Sequence, residues 1–384
     1  LIGSATLYNY LAPHPPAYGA WNCTNRMDTR SQSAPEPGKS DSRSRLLAIL
    51  RRSQGGVGLL LLLILASCPI GFYMHGTRVS LYNEYFRTWD NFANIFRQTS
   101  ITGVLAVGMT FVILTGGIEL SVGSGVAFLC CVAAMLARGS GWPFGVVVLF
   151  TLALGSVIGV VDGGLVAKGK FQPFIATLAA MVTLRGLAYR VTGSNIITSP
   201  VLESKFKFFS GAFSIPIPRP LWSLFGTTNF WNPVPVFAIF FLLAVLLGHV
   251  ILTRTVFGRN VASIGGNEAA TRLSGVAVDR NLIAVYALNG LMVALAALMF
   301  TARTNSGDPG SAIGYELDAI AAVVVGGTSL TGGRGSVVGT LIGALFIGVL
   351  NNVLQLNSID RYTALALEGP IILLAVALPR GRRK

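Results

Sequence analysis

Charge is what this sequence has least of: 11% of its 384 residues are Asp, Glu, Lys or Arg, against about 25% in a soluble domain. With 52% hydrophobic residues, that deficit excludes an ordinary soluble fold and places the chain among membrane proteins. Histidine occurs only at His14, His75 and His249. The HExxH pattern and the GxSxG nucleophile turn are both missing, which disfavours an intramembrane hydrolase. Cysteine is as scarce: Cys68, Cys130 and Cys131 lie in apolar runs and Cys23 in a polar tail, so no disulfide or zinc spacing exists. Gly38-Lys39-Ser40 has the form of a phosphate-loop end, but Ser33 stands where the first glycine is required and no strand precedes it. The chain is therefore expected to be neither an enzyme nor the holder of a cofactor or metal.

The formal net charge is +14, yet its basic residues are scattered in short loops rather than gathered in one patch, which argues against nucleic acid. Residues 1–26 have neither the charged lead nor the apolar run of a signal peptide, and Leu1 is not a start residue. Translation is expected to begin at Met27, with 1–26 a non-native upstream extension. Residues 27–53, rich in Ser, Pro and Arg, read as a disordered cytoplasmic tail.

A bilayer-spanning helix needs about 20 mostly apolar residues. Ten stretches approach that within a transmembrane domain over 54–379: Gly56 to Met74, Thr99 to Thr115, Leu120 to Leu136, Phe144 to Ala167, Phe171 to Val191, Val234 to Leu252, Leu282 to Thr301, Asp318 to Thr331, Gly335 to Leu354 and Thr363 to Leu378. The eighth is short enough to be partial or broken. The expected fold is an all-α membrane protein, a polytopic bundle of about ten transmembrane helices with broken or re-entrant segments. With the amino end inside, 18 of the 29 Lys and Arg fall on the inner side, ten fall outside, and Arg185 lies in a span. Basic residues prefer the cytoplasm, so both termini, including the basic tail 380–384, are expected there.

Glycines inside the spans, such as Gly155, Gly159, Gly163 and Gly343, read as packing faces, since small residues let helices approach closely in lipid. Gly116-Gly117-Ile118-Glu119-Leu120-Ser121-Val122-Gly123-Ser124-Gly125 matches the stretch from Gly326 to Gly335 at four glycines and one leucine. Each copy lies at a break between spans, which suggests a two-half internal repeat of the kind that marks pathways in transporters. Ionisable residues in or near spans are functional candidates by default. Glu119 reads either as helix-break structure or as pathway lining, because Gly116 and Gly117 can unwind the helix while Ser121 satisfies freed backbone. Asp162, Glu316 and Asp318 lie near span ends and can reach headgroups or water, and Arg185 calls for an acidic group or a helix carbonyl. The aromatics Phe206, Phe208, Phe209, Trp222 and Trp231, set among prolines between Gly193 and Pro233, read as an interfacial belt or as a docking surface.

The polar interlude over 253–281 reads as a small helix: Asn267 as N-cap, Glu268 at the positive end of the dipole and Gly275 as the left-handed residue that closes it. Its small Ala269 and Ala270 let its backbone lie close in a partner's groove; equally, such a loop can simply cover the inner face.

The stretches Leu114 to Ser124, Ile264 to Gly275 and Tyr315 to Leu330, with Gly332-Gly333-Arg334-Gly335 and Asn351-Asn352, resemble the permease subunit of bacterial ribose/xylose-type sugar importers of the ATP-binding-cassette class. The family has Asp where this chain has Glu119, and Ile359-Asp360-Arg361-Tyr362 is less typical of it. The resemblance implies a pore subunit of the bacterial inner membrane. The resemblance further implies work with a second permease copy, the same or related, with two ATPase subunits that hold ATP and Mg, and with a periplasmic sugar-binding protein. It makes Asn267, Glu268, Ala269, Ala270, Arg272, Leu273 and Gly275 the helix that couples to the ATPase. It makes Gly116, Gly117, Glu119, Ser121, Gly326, Gly327, Thr328, Ser329, Asn351 and Asn352 the candidate translocation pathway. An ion-coupled secondary transporter of a small polar solute, with the same broken helices and buried carboxylates, is the alternative.

Overall fold

The computed structural model describes residues 84–139, 142–216 and 231–359, together with Gly71–Met74, Thr77–Ser80 and single positions near 58–63, 229 and 363–370. The expected start at Met27, the disordered and basic tails, most of the first and tenth expected spans, Trp222 and Asp360-Arg361-Tyr362 lie outside the described residues.

Seven described helices are long and apolar enough to cross a bilayer: α1 (Trp89–Leu114), α2 (Val122–Gly139), α3 (Phe144–Ala167), α4 (Pro173–Thr192), α6 (Val236–Arg254), α9 (Val278–Thr304) and α11 (Val337–Leu356). The short helices are α5 (Pro200–Ser210), α7 (Val256–Gly266), α8 (Glu268–Leu273) and α10 (Tyr315–Val325). Among the described residues strands are confined to three antiparallel pairs: β1 (Gly71–Met74) with β2 (Thr77–Ser80), β3 (Ile197–Thr198) with β6 (Ser306–Gly307), and β4 (Ala212–Pro216) with β5 (Trp231–Pro235). The chain is an all-α polytopic membrane protein. The first expected span needs one correction, because its last four residues form a hairpin strand rather than helix.

The helix ends follow local chemistry. The Thr88 side chain caps α1 by accepting from Asn91 N, Ser336 caps α11 by accepting from Gly339 N, and Gly193 in the left-handed conformation closes α4. From Ile101 to Leu114, α1 is buried at all but one position, so it is the axis of the bundle. It runs antiparallel to α11: Asn91 meets Asn352 at one end, and the Thr110 and Thr340 hydroxyls meet at 2.7 Å near the other. α3 crosses α9 at glycine, where a Cβ on Gly159 would strike the Tyr286 carbonyl and one on Gly163 would lie 2.8 Å from Ile283 Cα. These glycines are the packing faces read from the sequence. The outward sides of α3, α4 and α6 present Leu149, Val161, Val182, Leu243 and Leu246, an apolar surface suited to lipid.

The bundle has two opposite ends. One carries α7, α8 and the α10–α11 link, and the other carries β3, β6, α5 and the β4–β5 hairpin. At that second end Phe206 and Phe209 are buried, Phe209 stacks on Phe240 at 4.8 Å, and Phe208 and Trp231 stay exposed.

The chain after α9 does not cross as a simple helix. Asn305 ends α9 in the left-handed conformation, and the chain then runs without helix down the side of α2, with Gly307 against Cys131 and Ala134 and the Ala312 carbonyl against Gly123. Only then does the 11-residue α10 begin. Non-helical backbone at membrane depth persists only where its polar groups are satisfied. Arg185 of α4 supplies that, donating through one nitrogen to the carbonyls of Pro309 and Ser311, each at 2.7 Å. The eighth expected span, Asp318 to Thr331, is thus the end of a half-helix that stops at Val325 and the link after it, and the strap precedes it.

Candidate functional site

The polar interlude folds as its capping residues dictate. Asn267 Oδ1 accepts from Ala270 N at 2.9 Å, and Gly275 has φ +81. Six residues of helix stand between them. Thr271 is the buried member, whereas Ala269 and Ala270 are exposed and Leu273 is 89% exposed. Arg272 bridges Glu268 at 3.1 Å and Asp279 at 2.7 Å, and Asp279 also takes Lys170 at 3.2 Å, which ties α8 to the start of α9 and to the α3–α4 turn. The Asp279 and Glu268 carboxylates push the Arg272 guanidinium still higher, so it keeps its charge at any working pH.

Beneath α8 three backbones converge. Gly333 N donates to Leu114 O at 2.9 Å. A Cβ on Gly265 would collide with Leu114 O and Gly333 N, and one on Gly332 would lie 2.9 Å from both Gly116 N and Gly265 Cα. The ends of α1 and α7 and the α10–α11 link therefore meet with nothing but glycine backbone between them. Gly116, Gly332 and Gly333 all have positive φ, near +82, +82 and +73, which L side chains rarely adopt.

From this junction the α1–α2 link turns into the bundle and places Glu119, 2% exposed, in a narrow cavity. The Glu119 carboxylate accepts from Ser121 N at 2.8 Å. Asp162 of α3 and Tyr286 and Asn289 of α9 share the cavity, all nearly buried, and it has room for about one water molecule. The Tyr286 hydroxyl, the Asn289 carbonyl oxygen and, in the second glycine stretch, the Thr328 hydroxyl have no hydrogen-bond partner among the described residues. Buried polar groups left unpaired are costly, so such groups mark a place for water or solute.

The remaining candidates do not gather here. Gly326 packs on Gly339, Gly327 has φ +91, and the Ser329 hydroxyl meets that of Thr331 at 2.8 Å, all in the link next to the glycine junction. Asn351 and Asn352 lie at the far end of α11, where Asn352 and Asn91 exchange side-chain hydrogen bonds of 2.7 and 3.0 Å. Sequence reasoning set Asp162 aside as a span-end group, and it passed over Tyr286 and Asn289. The one available signal was an Asn-Gly pair, Asn289-Gly290, in the middle of an apolar run.

Carboxylates buried at the depth of crossing helices, beside a segment that breaks instead of crossing, are features of proteins that pass solutes through a bilayer. The class is a multi-pass transport permease. Over residues 91–376 the chain matches the family described as branched-chain amino acid transport system / permease component, and it belongs to that family. It is 44% identical over 300 residues to the ribose import permease of Haemophilus influenzae, covering 78% of this chain and 87% of that protein. It is 43% identical over 312 residues to the ribose import permease of Bacillus subtilis, covering 81% and 91% of the two. The xylose transport system permease of Escherichia coli K12 is 36% identical over 332 residues, with 74% and 84% covered. No solved structure matches the chain.

Proposed function

We propose that the chain is the membrane-spanning permease of an ATP-binding-cassette importer that carries a sugar, with ribose the first substrate to test. Two copies, or this chain and a related one, would form the pore. Two ATPase subunits holding ATP and Mg would dock at the α8 end in the cytoplasm, and a sugar-binding protein would deliver substrate at the other. The observation that carries this reading is the sustained likeness to ribose import permeases, 44% over 78% of the chain. The geometry supports it: α8 is capped at both ends, anchored below, and offers exposed Ala269, Ala270 and Leu273 to a partner. The cavity around Glu119 and Ser121, with Thr328 in the neighbouring link, is proposed as part of the pathway.

The test is uptake of labelled ribose into proteoliposomes. Uptake that needs ATP, the ATPase and the binding protein is expected, and it should vanish in Glu268→Arg, which sets two like charges side by side where Glu268 now pairs with Arg272. The buried carboxylates Glu119 and Asp162 favour the second reading, an ion-coupled transporter. Uptake by this chain alone, driven by an ion gradient, would establish that reading and overturn the first.

A further inference from the structure

The glycine junction under α8 touches every element that the proposed transport cycle has to connect. α8 follows α7 through Gly265-Gly266. Gly265 lies so close to Leu114 O and Gly333 N that no side chain fits between them. The hydrogen bond from Gly333 N to Leu114 O joins the α1 end to the α10–α11 link across the same point, and the Ser329 N to Arg334 O bond at 2.8 Å closes that link on itself. The second glycine stretch singled out in the sequence, and the α1 end two residues before the first, are therefore in backbone contact with the segment that carries the docking helix. The α1 end leads within a few residues to Glu119 and its cavity. The other leads to Thr328, buried, with a hydroxyl that has no partner among the described residues.

Backbone in direct van der Waals contact, with no side chain to rotate out of the way, transmits displacement rather than absorbing it. We infer that Gly265, Gly332 and Gly333 are positioning residues for transport: they form a rigid joint through which movement of α8 shifts the α1–α2 link and the α10–α11 link together, and so opens or closes the cavity at Glu119. Exposed Leu273 and the Arg272 ion pairs receive the force, and the joint delivers it. The inference rests on the importer reading.

Gly266 supplies a matched control. A Cβ there meets nothing within 4 Å and its φ is not positive, although it is next to Gly265. Gly265→Ala, Gly332→Ala and Gly266→Ala are prepared with the ATPase and binding-protein partners, and two quantities are read: ATPase copurified with the permease, and labelled ribose taken up per ATP hydrolysed. The expected result is full copurification for all three, a fall of about tenfold or more in uptake per ATP for Gly265→Ala and Gly332→Ala, the size of a typical coupling between sites, and no change for Gly266→Ala. Uptake per ATP at the unsubstituted level in Gly265→Ala overturns the joint. Failure of the unsubstituted chain to hold an ATPase overturns the importer reading and the joint with it.

Because the alanine variants can misfold, hydrogen exchange on the unsubstituted complex gives a second measure. Addition of a non-hydrolysable ATP analogue should change exchange in peptides covering 113–119 and 329–335 together with that of α8. A change confined to α8 overturns the joint.

Discussion

Asn352 and Arg185 show at single residues how a bilayer protein settles polar groups, and neither partner was legible in the sequence. Asn352 is matched by Asn91, which lies 261 positions away, and Arg185 by carbonyls 124 and 126 positions on. Nothing in the local pattern around Arg185 distinguishes a carbonyl partner from a carboxylate. Each pairing has a measurable consequence. Asn91→Ala leaves the buried Asn352 amide unmatched and should cost about 1–3 kcal/mol, read as a lower Tm in detergent. The double variant Asn91→Leu/Asn352→Leu should recover part of that loss, because removing both partners costs less than stranding one. A double variant no more stable than Asn91→Ala alone refutes the pairing. Arg185→Met removes a charged donor from two strap carbonyls and should cost about 3–6 kcal/mol, at roughly 1.5–3 per hydrogen bond to a charged group. Protease access to residues 305–314 measures it directly, and unchanged access would show that the strap is held by other contacts.

Helices are the scale at which the sequence was most informative, and the reason is physical. Seven long apolar runs became spans because a membrane helix needs length and little else. α8 formed between Asn267 and Gly275 because capping is local chemistry. The strap was harder to read: the apolar run that begins at Asp318 says nothing of the extended backbone before it, which depends on α4 for its hydrogen bonds. Glycine meaning was half legible. Spacing marked Gly155, Gly159 and Gly163 as a packing face, whereas the joint at Gly265 brings together three distant segments. The α3–α9 crossing makes a sharp prediction through two neighbouring positions. Gly159→Ala drives a methyl into the Tyr286 carbonyl and should cost about 1–3 kcal/mol by overpacking. Gly164→Ala meets nothing within 4 Å and should be neutral or stabilise by up to about 1 kcal/mol, since alanine favours helix. Equal Tm values for the two variants would mean that the helices do not touch at Gly159. For α8, Asn267→Ala should cost about 1 kcal/mol of local helix stability and weaken ATPase copurification without altering the amount of protein inserted.

For the whole molecule, the antiparallel run of the spans sets which segments share an end, but not which end faces the cytoplasm. Among the described residues, with Arg185 inside a span, the basic side chains divide evenly: Lys168, Lys170, Arg254, Arg259, Arg272, Arg280 and Arg334 towards the α8 end, against Arg87, Arg97, Arg138, Arg190, Lys205, Lys207 and Arg303 towards the other. The charge bias that favours a cytoplasmic α8 is therefore carried by the two terminal segments, where basic residues close to the first and last spans weigh most. The importer proposal depends on that orientation, because ATP is cytoplasmic and α8 must meet the ATPase there. Exposed Ala269 on α8 and exposed Asn195 at the opposite end give the two reporters. In intact cells a membrane-impermeant maleimide should label Asn195→Cys and leave Ala269→Cys untouched until the membrane is opened. Labelling of Ala269→Cys from outside would turn the bundle over and place α8 out of reach of any ATPase. The buried pair Glu119 and Asp162 would then be left as the only proposed means of driving transport.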